Sequence, residues 1–158
     1  MSKALKTVQA ERPELSSEEI SAFCNAIGLA PRGLVNARDR VTARYALGPR
    51  GAWILGLIER GVNSPSALTD ILCIGRSLTT AEINRLTDAG LVEGRQSDKD
   101  RRRVDLVLTE EGWKACAELR VAVEDFVTSR LTGWSREEVL SCIALLQDFV
   151  GATRMGEG

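Results

Sequence analysis

Apolar residues recur at helical spacing from the serine pair Ser16-Ser17 onward. Ile20, Phe23, Cys24 and Ile27 form a stripe, Glu19 completes a capping box, and Gly28 is expected to stop the helix. After Pro31 and Gly33 the stretch LVNARDRVTARYAL carries few strong apolar positions: Leu34, Val35, Val41 and Tyr45. Such a helix would be partly solvated or would pack against another chain. Gly48-Pro49 opens a third helix, expected to be buried through Ala52, Trp53, Leu55 and Ile58 and closed by Gly61. Ser64-Pro65 repeats the device, a serine cap with proline in the first turn, ahead of a short helix whose Leu68, Ile71 and Leu72 should face a core. A tight Ile74-Gly75 connection leads into RSLTTAEINRLTDAG, where Thr79, Ile83 and Leu86 share one face and Gly90 supplies a left-handed cap. Two short helices joined by a glycine turn make a helix-turn-helix.

Past Gly90 the apolar period falls from 3.6 to 2. LVEGRQ and VDLVLT read as two strands, with Val104, Leu106 and Leu108 on one side and the charged run SDKDRRR between them. A hairpin placed just after a recognition-type helix is a wing. Thr109-Glu110-Glu111 then caps a long helix in which Trp113, Cys116, Leu119, Val123, Phe126, Val127 and Leu131 keep helical spacing as far as Gly133. A second box, Ser135 with Glu138, starts a last helix through Val139, Ile143, Leu146, Phe149 and Val150. The fold class expected is mainly α, of α+β type: a winged helix-turn-helix with helices before and after it.

At 158 residues, 44% of them hydrophobic, the chain is long enough for one domain with a core and too short for two large ones. The expectation is a single domain over 1–158, with N-terminal helices at 15–47, the winged lobe at 48–109 and C-terminal helices at 110–154. The start of the chain lacks the apolar core of a signal peptide, so a soluble, cytoplasmic protein with no membrane role is expected. There is no histidine, which removes the commonest general base and most zinc sites. No nucleophile–base pair, metal-ligand cluster or phosphate-cradling glycine loop is found, so no catalytic residue, metal or cofactor is expected and the chain reads as no enzyme. Cys24, Cys73, Cys116 and Cys142 are scattered, and most read as small buried hydrophobes. Cys24, on the apolar stripe with Phe23 and Ile27, reads as packing in preference to a redox-sensing thiol.

The formal net charge of −1 matters less than where the charge sits. Between residues 95 and 103, Arg95, Lys99, Arg101, Arg102 and Arg103 face only Asp98 and Asp100, a local excess of three positive charges. A flat guanidinium at a hairpin tip can enter a minor groove, and Arg102 is assigned that role with Asp100 orienting it. On the second helix of the turn, Ser77, Ala81, Asn84 and Arg85 lie opposite the apolar face, with Arg76 at the start and Thr80 on the flank, slim enough for a major groove. The DNA-binding set is therefore Arg76, Ser77, Thr79, Thr80, Asn84 and Arg85 on the helix, and Arg95, Lys99, Asp100, Arg101, Arg102 and Arg103 on the wing.

From GPRGAWILGLI to LTEEG the chain resembles the multiple antibiotic resistance regulator (MarR) family of winged-helix repressors. Arg76-Ser77, Leu86 followed by Ala89-Gly90-Leu91-Val92, Asp100-Arg101-Arg102, and Leu108-Thr109-Glu110-Glu111-Gly112 carry the likeness. It departs at Ala81 and Glu82, where many members have arginine and an aliphatic residue, and over LAPRGLVNARDRVTARYAL. The resemblance implies a homodimer entwined through its N- and C-terminal helices, a palindromic operator on double-stranded DNA, and a small, aromatic effector held between the dimerisation helices and the DNA-binding lobe. The function expected is thus a repressor released by that effector. The rival readings are a winged-helix module that binds protein, with Glu82, Asp88 and Glu93 spoiling the surface for DNA, and a cysteine-based redox regulator.

Overall fold

The computed structural model describes residues 13–97 and 103–152. The element order is α1 (Ser17–Leu29), α2 (Pro31–Arg44), α3 (Pro49–Glu59), α4 (Pro65–Leu72), α5 (Arg76–Asp88), β1 (Val92–Gln96), β2 (Val104–Leu108), α6 (Glu110–Arg130) and α7 (Arg136–Ala152). Residues 13–32 group as one compact unit and 33–152 as another.

In the first unit, the Ser16 hydroxyl accepts from the Glu19 amide at 3.2 Å while the Glu19 carboxylate accepts from the Ser16 amide at 2.8 Å. The Ser16 amide, and after it the Ser16 hydroxyl, which also donates to that carboxylate at 2.8 Å, hold the Glu19 carboxyl below its ordinary range. Gly28 does not end α1 as expected: the backbone ladder runs on through it, and the Ala30 amide still donates to Ala26 at 2.9 Å. A glycine costs a helix some stability without breaking its hydrogen bonds.

The second unit is built around α3, whose Ile54 and Leu55 are fully buried together with Leu68 of α4, Leu86 of α5, and Leu91 and Val92 at the start of β1. Each such side chain contributes on the order of 1.5–3 kcal/mol. The first half of α6 closes the core with Ala115, Cys116 and Leu119. Strands β1 and β2 are antiparallel, with Val92 opposite Leu108 and Gln96 opposite Val104. The Leu106 amide donates to the Asn63 carbonyl at 2.8 Å, which pins the loop after α3 to the hairpin.

One junction explains why the AGLV and LTEEG segments go together. Gly90 turns the chain after α5 at φ +71°, a left-handed value that suits glycine. The Thr109 hydroxyl donates to the Gly90 carbonyl at 2.6 Å and accepts from the Gly112 amide at 3.0 Å, capping α6 onto the end of α5. Gly112 lies so close that a Cβ there would stand 2.0 Å from the Leu91 carbonyl oxygen.

Several burial expectations fail, each for a geometric reason. Trp53 is half-exposed because it lies across α3 from the Ile54 and Ile58 stripe, and Trp113, at 54% exposure, lies about a quarter-turn off the Gly112, Ala115, Cys116 and Leu119 face of α6. Ile71 falls at the open edge of the two-turn α4, which buries only Leu68. Val104 shares a strand face with Leu106 and Leu108 but sits at the far end of the hairpin, away from the core. Of the four cysteines only Cys116 is buried: among the described residues α1 and α7 bury no side chain, which leaves Cys24 and Cys142 exposed, and Cys73 caps a helix end. The left-handed residue of the α4–α5 turn is Cys73, at φ 51°, and not Gly75, whose φ of −67° is that of an extended N-cap.

Candidate nucleic-acid interface

The turn is locked from within. Ser64 caps α4 by accepting from the Ala67 amide at 3.2 Å. The Thr79 hydroxyl donates to the Gly75 carbonyl at 3.3 Å and receives the Thr69 hydroxyl at 3.0 Å, a bridge between α4 and α5. Thr79 is 1% exposed, so it belongs to the core and is removed from the DNA-binding set; its polarity is consumed by that bridge. With Thr79 and Leu86 fixed inward, α5 turns Ser77, Ala81 and Asn84 outward, with Arg76 at its start and Thr80 and Arg85 on its flanks, all exposed.

Among the described residues no side chain caps the start of α5. Its first amides and the positive end of its dipole, beside Arg76, suit a phosphate oxygen. The outward face is small and hydroxyl- or amide-bearing, which suits base edges in a groove about 12 Å wide. Glu82 proves to be on the other side: it is buried, and its Oε1 accepts from Arg85 at 3.1 Å. Sequence reasoning missed this by weighing the charge above the spacing: Glu82 falls three residues after Thr79 and four before Leu86, on the face those residues turn inward.

The hairpin continues past both strands, since the Ser97 amide donates to the Arg103 carbonyl at 2.9 Å. Arg95 is exposed and is steadied by Glu93, which accepts from its Nε at 2.8 Å. Arg103 is likewise exposed. Lys99, Asp100, Arg101 and Arg102 lie outside the described residues.

A cleft of about 310 Å³ lies between α2, α3 and α6, lined among others by Arg38, Gly56, Arg60, Leu119, Arg120 and Glu124. Burial, and then the charge of Arg60, lower the Arg38 pKa. These residues come from distant parts of the sequence, with no spacing that could have announced them. The helices around the cleft are strapped together. Arg44 grips both oxygens of Glu118 at 2.9 and 2.7 Å, the Tyr45 hydroxyl donates to Glu111 at 2.8 Å, and Arg120 pairs with Glu59. Cys116, on the same wall, has its thiol pushed up to about 11, chiefly by burial, so it is protonated and a poor nucleophile near neutrality.

Two short helices, the second with a slim polar outer face, followed by an antiparallel hairpin, define a winged helix-turn-helix protein. No family model matches the chain. It is 31% identical over 143 residues to the HTH-type transcriptional regulator PecS of Dickeya dadantii (strain 3937), over 86% of this chain and 84% of that one. In fold it resembles a MarR transcriptional regulator from Methanosarcina mazei Go1, with a TM-score of 0.72 at 22% identity over 85% of this chain and 99% of that one. It also resembles the transcriptional regulator BldR from Sulfolobus solfataricus, with a TM-score of 0.68 at 23% identity over 85% and 99% of the two chains. The chain belongs to the MarR family of winged helix-turn-helix proteins; it is a DNA-binding transcriptional regulator, and not an enzyme.

Proposed function

We propose that the protein is a homodimeric repressor that binds a palindromic operator and is released by a small acidic aromatic effector. The observation that carries the reading is the outer face of α5, where Arg76, Ser77, Thr80, Asn84 and Arg85 stand exposed on a helix whose other side is locked into the core. Asn84 suits an adenine edge, Arg76 and Arg85 suit guanine edges or phosphates, and the basic residues of the wing, Arg102 foremost, take the neighbouring minor groove. The open apolar stripe of α7 supports pairing with a second copy, and a pair of lobes reads two half-sites about 34 Å apart. The protein-binding alternative loses one of its three acidic residues, because Glu82 faces inward.

The cleft supports the effector. Its volume suits a single substituted ring, and an anionic group would relieve the burial of the Arg38 charge and its repulsion by Arg60. A ligand that wedges α2 from α3 and α6 alters the lobe spacing and loses both half-site contacts together. Footprinting on the DNA upstream of the protein's own gene should show two protected half-sites centred about 10 base pairs apart, cleared by benzoate-class acids. Asn84→Ala should weaken the complex by about 1–3 kcal/mol, with the loss confined to one base position of each half-site. Protection that is unbroken and independent of sequence would defeat the reading.

A further inference from the structure

Glu82 is the one charged side chain that the fold buries among the described residues, at 3% exposure. It sits on the inner side of α5 with Thr79 and Leu86. Its Oε2 is shut away from solvent and has no hydrogen-bond partner among the described residues, while Oε1 accepts a single hydrogen bond, from Arg85 at 3.1 Å. A carboxylate held in this way costs stability that an apolar side chain of similar size would not. What the carboxylate reaches is the surface: the Arg85 side chain is 59% exposed although its anchor is only 4% exposed.

Arg85 stands at the flank of α5 beside the outward face of Ser77, Ala81 and Asn84. An arginine on an exposed helix ordinarily samples many rotamers and must give them up on binding. Tethered from within by one nitrogen, its guanidinium is restrained before DNA arrives, and the rest of the planar fork stays free to meet an acceptor.

We propose that Glu82 is a positioning residue for DNA reading: from inside the lobe it aims Arg85, so that preference for one operator depends on a side chain that never touches DNA. This rests on the reading that the outer face of α5 meets an operator. It predicts a trade, with stability sacrificed for discrimination.

The test uses the full chain, a duplex of about 30 base pairs enriched by the wild-type protein from a random pool as the specific probe, and a mixed-sequence duplex as the non-specific one. Glu82→Leu should unfold at the same temperature as the wild type or higher, yet lose about tenfold in the ratio of specific to non-specific affinity. Glu82→Gln, which keeps an acceptor for Arg85, should stay within about threefold. In an Arg85→Ala background the Glu82→Leu change should cost nothing further, which a merely structural role would not produce. Full retention of the ratio in Glu82→Leu overturns the proposal, and so does a loss that is undiminished once Arg85 is gone. Glu82→Met, flexible enough to fill the same space, replaces the leucine variant should that one fail to fold. A wild-type protein that enriches no duplex overturns the operator reading instead, and that result comes from the wild-type arm alone.

Discussion

Gly112 shows how much of the lobe depends on a single missing atom group. Its amide donates to Thr109, and its Cα faces the Leu91 carbonyl so closely that any side chain would strike backbone. Backbone cannot rotate aside as a flexible side chain can, so the wing and α6 would have to part. Gly112→Ala should therefore destabilise the protein by about 1–3 kcal/mol, read from urea midpoints at one fixed protein concentration. An unchanged midpoint would refute the junction as described. The sequence shows LTEEG as a helix cap, and that much is legible from Thr109 and the two glutamates after it. That the same threonine also donates to Gly90 is not, since the partner lies 19 residues back and only the folded turn brings it within reach.

Among the elements, α4, α5 and the hairpin follow closely from local pattern, because serine caps, prolines in first turns and the change of period act over a few residues. Burial is less legible. Thr79 reads equally as a base contact or as core, and only its bridge to Thr69 decides; Trp113 fits the apolar stripe by rough spacing but stands about 100° off the buried face. The α7 stripe is legible as apolar, and its exposure is the informative part: Ile143, Leu146 and Val150 are exposed, and no described side chain of the helix is fully buried. Its cap is well made, with the Ser135 amide donating to Glu138 at 2.8 Å and the Glu138 amide donating back at 3.2 Å, so the element is specified while much of its apolar surface stays exposed. A second copy covers that surface in the proposed dimer. Ile143→Asp with Leu146→Asp should shift the protein from dimer to monomer in sedimentation equilibrium and weaken operator binding at least about tenfold through lost avidity. A doubly substituted protein that still sediments as a dimer would place the interface elsewhere.

At the scale of the whole molecule, near-neutral charge and a role at DNA are compatible because charge is distributed unevenly and several carboxylates are paired within the fold. Glu118, Glu59, Glu111 and Glu93 are tied to Arg44, Arg120, Tyr45 and Arg95, while the sequence over residues 95–103 holds a local excess of three positive charges. The straps at Glu118, Glu59 and Glu111 also join α2 and α3 to α6, so the proposed effector would act on those helices together. Charge at the wing and helix should govern affinity through release of counterions from the duplex. The direct measurement is the affinity of the dimer for its enriched duplex across a salt series, for wild type and Arg102→Ala. With about six to ten phosphates neutralised, log affinity should fall linearly against log salt with a slope of about −5 to −9, and Arg102→Ala should weaken binding strongly and flatten the line. An affinity indifferent to salt and to the loss of Arg102 would contradict the account at its centre.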